Sequence, residues 1–177
     1  LEIHHDTTGE SRVTKFILRY LNFLNNKNLL NIVSVTKSVK KLFVEKYKVK
    51  SNKITVLPSG SSIKINFKPN LNFNRRMKIG YFGSISPSKG INTIIKLSKI
   101  DRDNDYYIYG GLKNEIENLR KKNTNNNLYL FENVPYVSLA RKMLDMDILT
   151  IPYTKNIKSA GEVDDISKYT SPLKLFD

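Results

Sequence analysis

Cysteine is absent from all 177 residues, which excludes a disulfide framework, a zinc–thiolate site and a thiol nucleophile. That absence also suits a reducing compartment. Histidine is nearly absent, with His4 and His5 the only two. No apolar run approaches the roughly eighteen residues that a bilayer span needs, so no membrane-crossing helix is expected. The chain opens at Leu1 without a basic-then-apolar leader, so no signal peptide is expected. It also opens without Met, and a helical pattern is still running at Asp177, so the expectation is a piece of a longer protein. Carboxylates are scarce as well: 16 Asp and Glu stand against 30 Lys and Arg, for a net charge of +14. Residues 1–70 hold 13 basic against 4 acidic side chains, and residues 71–177 hold 17 against 12. A basic first part can attract nucleic acid or anionic lipid headgroups, or can spread lysines over solvated faces. Both readings stay open.

What is present is enough for a core, since 40% of the residues are hydrophobic. Leu1–His4 reads as the end of a buried strand running into a loop. Thr7-Thr-Gly-Glu10 has the spacing of a capping box. Val13, Phe16, Ile17, Tyr20, Leu21 and Leu24 then recur at helical spacing, with Arg12, Lys15 and Arg19 on another face. This predicts a basic amphipathic helix over 10–24. Its apolar face is expected to pack on a sheet, and rest on an anionic membrane is the competing use. Ile32–Val35 predicts a strand, Thr36 a helix cap, and Val39, Leu42, Phe43 and Tyr47 the buried side of the helix that follows. Lys53–Leu57 predicts a strand stopped by Pro58-Ser-Gly60. Periodicity then lapses, giving a first domain over 1–68 and a linker over 69–76.

From 77 the pattern becomes regular. Strands are predicted at 77–82, 106–109, 128–131 and 147–151, and helices at 91–100, 115–122 and 138–144. Alternation over short loops predicts an α/β fold, a Rossmann-like parallel sheet with helices on both faces, over 77–177. Ligands of such sheets sit at the carboxyl ends of the strands. The loops 83–90, 110–111, 132–136, 152–156 and 170–174 all belong to that edge. In the first, Gly83 permits a tight turn and Lys89-Gly90 opens a helix, a combination that suits a phosphate or an ordinary βα turn. In the last, Ser171 and Pro172 read as helix cap and first-turn proline, with Leu173 and Lys174 following. The free N–H groups there suit a diphosphate, and Asp177 one turn on suits a ribose diol. His4, at a strand end after Glu2, suits orientation of an acceptor hydroxyl, and the sequence does not separate it from His5. Glu162, Asp164 and Asp165 read as a solvated loop rather than a metal site.

Taken in order, these pieces resemble the GT-B glycosyltransferases of the large retaining family 4, the glycosyl transferases group 1. The matching residues are Gly80-Tyr-Phe-Gly-Ser-Ile with Lys89-Gly-Ile, Tyr109-Gly-Gly, and Asn133-Val-Pro-Tyr136. They continue with Asp147-Ile-Leu-Thr-Ile-Pro-Tyr153 and Ser171-Pro-Leu-Lys-Leu-Phe-Asp177. Weaker matches upstream are Glu2-Ile-His4, Val33-Ser-Val-Thr36 and Ile54-Thr-Val-Leu-Pro-Ser-Gly60. The resemblance implies two Rossmann-like domains facing across a cleft, with 77–177 most of the donor domain and 1–68 the end of the acceptor domain. Gly83, Ser84 and Lys89 then fall on the first phosphate loop, and Val134 and Tyr136 on the base contacts. Ser171, Pro172, Leu173 and Lys174 fall on the second diphosphate corner, Asp177 on the ribose acid, and His4 near the acceptor-side histidine. Ser84 stands where the family usually has Arg, Asp177 where it has Glu, and Tyr169 where it has an acid.

The function implied is a hexosyl transfer from a nucleoside-diphosphate sugar to a glycan or lipid-linked acceptor in cell-surface polysaccharide synthesis. Lys89 and Lys174 would stabilise the departing diphosphate, and no metal or other cofactor is required. The expected partners are the nucleotide sugar and the acceptor, not nucleic acid. An anionic membrane surface is a further partner, and the location is the cytoplasm at the inner face of the cell membrane. The piece by itself is expected to be inactive. A non-catalytic nucleotide-binding module is the alternative. A nucleic-acid-binding protein is disfavoured because the aromatics lie at core positions rather than among the lysines.

Overall fold

A computed structural model of the chain describes residues 1–4, 6, 12–61, 74–158 and 165–169. They form two compact units, 1–61 with the described residues from 156 onward, and the described residues up to 155.

The first unit is a three-stranded parallel sheet in the order β1-β2-β3, with β1 at Glu2–Ile3, β2 at Ile32–Ser34 and β3 at Ile54–Val56. Two helices join the strands, α1 over Arg12–Tyr20 and α2 over Lys37–Tyr47. The Thr36 hydroxyl accepts the Val39 N–H at 3.1 Å, so the predicted cap starts α2. Val39, Phe43 and Tyr47 then bury one stripe of α2 against Ile3, Ile32 and Ile54. The helix predicted over 10–24 stops at Tyr20. Asn22 adopts a left-handed conformation (φ 49°), held by the Asn25 side-chain amide at 2.6 Å, and a 3-10 turn over Phe23–Asn25 carries Leu24 into the core. The packed apolar face expected of this helix is only partly found: Leu18 meets the core, whereas Val13, Phe16 and Tyr20 are exposed. The capping-box residues 7–10 lie outside the described residues. Tyr169 packs on the first core, so this part of the chain joins the first unit, whereas the sequence boundaries place it with 77–177.

The second unit is a four-stranded parallel sheet in the order β6-β5-β4-β7. Its strands are β4 (Lys78–Phe82), β5 (Asp105–Tyr109), β6 (Leu128–Phe131) and β7 (Ile148–Leu149), and its helices α3 (Ile91–Ile100), α4 (Lys113–Lys122) and α5 (Tyr136–Leu144). Side chains alternate across the pleat. Tyr81, Tyr106, Ile108 and Leu130 form one core with Ile91, Ile94 and Ile95 of α3 and Ile116 of α4. Phe82 and Tyr109 face the other way, against Met143 and Leu139 of α5. Helices therefore cover both faces of an α/β Rossmann-like sheet. No described helix is long and apolar enough to cross a membrane.

Candidate functional site

An open parallel sheet leaves a crevice where its strand order reverses, because the loops on either side of that point diverge. In the second unit the reversal falls between β4 and β7, bordered by loops 83–90 and 150–154. The Thr150 N–H and hydroxyl both donate to the Gly80 carbonyl, at 2.8 and 3.1 Å. Thr154 likewise donates its N–H (3.2 Å) and hydroxyl (2.9 Å) to the Ser88 carbonyl. Gly90 (φ +79°) seals the contact, since a Cβ there would stand 1.7 Å from the Pro152 carbonyl oxygen. The two loops are thus a single bonded rim.

Lys89 lies on this rim in a 3-10 turn over Pro87–Lys89. Its ammonium is 4.9 Å from the centroid of the Tyr153 ring. Burial raises the Tyr153 pKa, so a neutral ring rather than a phenolate meets the cation at neutral pH. Such a contact contributes about 0.5–1 kcal/mol, against about 1.5–3 kcal/mol for a hydrogen bond to an ionised group. Directly behind Lys89 α3 begins with no side-chain cap and no acid in its first turn, so the positive end of the helix dipole is open at the same loop.

Gly83 leaves β4 with its N–H on the Tyr109 carbonyl at 2.8 Å. A Cβ on Gly110 (φ +150°) would lie 1.8 Å from the Gly83 carbonyl oxygen, so the two strand ends meet backbone to backbone. The Tyr81 hydroxyl fixes the carbonyl of Ser84 at 2.8 Å, and burial, followed by Tyr153, raises its pKa. At the next strand end the Asn133 side chain accepts the Gly111 N–H at 2.9 Å. Val134 is half-buried against the Phe82–Tyr109–Met143 cluster, and Tyr136 opens α5 with its side chain exposed. Gly83, Ser84, Lys89, Val134 and Tyr136 therefore lie along one carboxyl edge.

His5, Ser171, Pro172, Leu173, Lys174 and Asp177 lie outside the described residues, as do Glu162 and Asp164. His4 follows β1 in the first unit, with Nε2 3.0 Å from Glu2 Oε1. Asp6, which the sequence does not single out, is nearly buried and accepts from Lys46 Nζ at 2.5 Å and the Tyr47 hydroxyl at 2.7 Å. These bonds pin the chain just beyond His4 to α2. Asp165 forms an antiparallel bridge with Lys158 and accepts the Ser167 N–H at 2.9 Å. Among the described residues no group of three or more ligating side chains is placed to hold a metal.

Solved structures share this architecture. The likeness is one of fold. HepE of Anabaena, solved with UDP, superposes with a TM-score of 0.61 at 14% identity over 89% of this chain and 47% of its own. The same protein has been solved with UDP and glucose. A glycosyltransferase from Rickettsia africae gives 0.57 at 18% identity, over 84% of this chain and 43% of its own. TarM gives 0.54 at 17% identity, over 84% and 30%. This chain thus spans less than half the length of each of these proteins. No family model and no curated protein matches the sequence.

Proposed function

We propose that the chain is part of a retaining GT-B glycosyltransferase of family 4. In this reading it moves a hexose from a nucleoside diphosphate to a glycan or lipid-linked acceptor in cell-surface polysaccharide synthesis. The observation that carries the reading is the reversal between β4 and β7, where a lysine-bearing loop and an uncapped helix start border one crevice. The fold shared with a glycosyltransferase and with a UDP-binding protein supports it.

In the proposed complex a phosphate lies against the backbone of Gly83 and Ser84, and Lys89 leaves Tyr153 to meet it. Negative charge grows on the diphosphate as the sugar–oxygen bond breaks. A cation and a helix dipole already held in place oppose that charge more in the transition state than in the ground state. Ser171, Pro172, Leu173 and Lys174 are proposed as the second phosphate corner on the strength of the sequence resemblance, and Asp177 as the ribose acid. Val134 and Tyr136 would meet the base. His4, paired with Glu2, would orient the acceptor hydroxyl. No metal or further cofactor enters the proposal. The exposed Val13, Phe16 and Tyr20 of α1 support contact with an anionic membrane at its cytoplasmic face.

Calorimetric titration with UDP, GDP and ADP tests the reading. Micromolar binding of one nucleotide is expected, weakened about tenfold in Lys89→Ala, as loss of one charge-assisted bond implies. Sugar release by the full-length protein then separates a transferase from a non-catalytic binding module. Absence of nucleotide binding, with tight and salt-sensitive RNA binding instead, would overturn the proposal.

A further inference from the structure

The amino edge of the second sheet, opposite the edge described above, holds a cavity of about 280 Å³. Its wall is Arg76 ahead of β4, Ser98, Lys99 and Arg102 at the end of α3, and Thr124 with the asparagine run 125–127 ahead of β6. Three cations line it and no carboxylate does. The acids next to it in sequence, Asp101, Asp103 and Asp105, are not among its lining residues. Asp101 accepts from the Asn104 amide at 2.9 Å and the Tyr106 hydroxyl at 2.8 Å, and Asp105 lies 3.4 Å from Arg76 Nε. Arg76 also donates to the carbonyls of Asp103 and Arg102, which fixes its guanidinium at the rim. The Lys99 and Arg102 side chains make no ion pair or hydrogen bond among the described residues. The far wall is held in place, with the Asn125 amide donating to Ser98 Oγ at 2.8 Å and the Asn127 amide to the Asp101 and Asn104 carbonyls at 2.9 Å.

Cations at the last turn of α3 complement its dipole, but that amounts to about half a negative charge. Asp105 offsets one more. Asp101 and Asp103 stand beside them in sequence too, yet only the cations border the cavity, where Lys99 and Arg102 are exposed and make no ion pair among the described residues. We propose that this cavity binds a phosphoryl dianion. The unbonded Arg102 guanidinium and Lys99 ammonium, with the N–H groups of Arg76 that its carbonyl bonds leave over, match its several oxygens better than the two of a carboxylate. The site is independent of the crevice at the carboxyl edge. The dianion can be free inorganic phosphate or a phosphomonoester headgroup in a lipid surface.

Calorimetry of the whole chain with inorganic phosphate at low ionic strength should show saturable one-to-one binding. The double variant Lys99→Ala/Arg102→Ala should bind at least tenfold more weakly, while Lys96→Ala, on the same helix but outside the cavity, should stay within twofold. Both replaced side chains are exposed and unbonded, so the double variant should keep its circular dichroism. Lys89→Ala should also keep phosphate binding, which separates this site from the proposed nucleotide crevice. Co-sedimentation with phosphatidylcholine vesicles containing phosphatidic acid distinguishes the sources. Retention of the parent and release of the double variant indicates the lipid headgroup, and phosphate saturation without vesicle retention indicates the free ion. Three outcomes would each overturn the proposal: no binding of either probe, equal loss in Lys96→Ala, or loss in Lys89→Ala with retention in the double variant.

Discussion

At the scale of single residues, Gly90 shows how backbone chemistry decides where the rim can form. Its positive φ costs a side-chain-bearing residue about 1–2 kcal/mol, and the Pro152 carbonyl leaves no room for a Cβ. Gly90→Ala should therefore lower stability by at least about 2 kcal/mol in urea denaturation and weaken the proposed nucleotide binding with it. A loss below about 0.5 kcal/mol would contradict the rim geometry. Tyr106 offers a pH test. Burial, followed by its hydrogen bond to Asp101, pushes its pKa up to about 12 from 10.0. The folded pKa lies above the unfolded one, so the contribution is fully present below pH 10 and lost as pH rises toward 12. Tyr106→Phe should flatten that alkaline limb, as read by denaturation at a series of pH values. An unchanged limb would show that the phenol titrates alike in the folded and the unfolded chain.

Among the elements of the second sheet, β7 is the shortest strand, with two residues and two register pairs. It is held instead by Asp147, whose carboxylate accepts the Lys78 N–H at 2.8 Å and both arms of the Arg75 guanidinium. Burial would raise its pKa, but the Lys78 N–H and Arg75 outweigh burial and lower it below 3.8. The stability this brings is present above about pH 4 and fades as pH falls through the folded value. Asp147→Asn should cost about 1–3 kcal/mol at neutral pH and make the difference from the parent shrink in acid. A constant difference from pH 7 to 2 would rule the ion pair out. Local pattern made much of the fold legible. The bounds of α3 and β6 coincide with those predicted, because Ile91, Ile94 and Ile95 mark one buried helix stripe and 128–131 is a short run between Asn127 and Glu132. Strand–helix alternation was enough to gather the loops 83–90, 110–111 and 132–136 on one edge of the second sheet. The end of α1 was misread because Leu21 and Leu24 keep helical spacing across an asparagine that leaves the helix. The bonds between distant parts of each unit were not legible. Asp6 and Lys46 are 40 residues apart, Ser88 and Thr154 66, and Arg75 and Asp147 72. Such pairings depend on strand order, which local pattern does not encode.

For the whole molecule, the division into two units implies two separable stabilities. The first unit rests on strands of two or three residues around Phe43, Val39 and Ile32, whereas the second has five-residue central strands and two cores. Short strands bury little area each, so the first sheet depends heavily on α2. Phe43→Ala removes a ring that is 2% exposed and should cost about 3–5 kcal/mol, most of the stability a unit of this size holds. Hydrogen exchange should then accelerate across 32–34 and 54–56 while 78–82 and 105–109 stay protected. Nucleotide affinity, proposed to reside in the second unit's crevice, should remain within about twofold of the parent. Loss of protection in both sheets together would mean that the units unfold as one. In that case the crevice between β4 and β7 would depend on the first core, and a truncated second unit would not be expected to retain it.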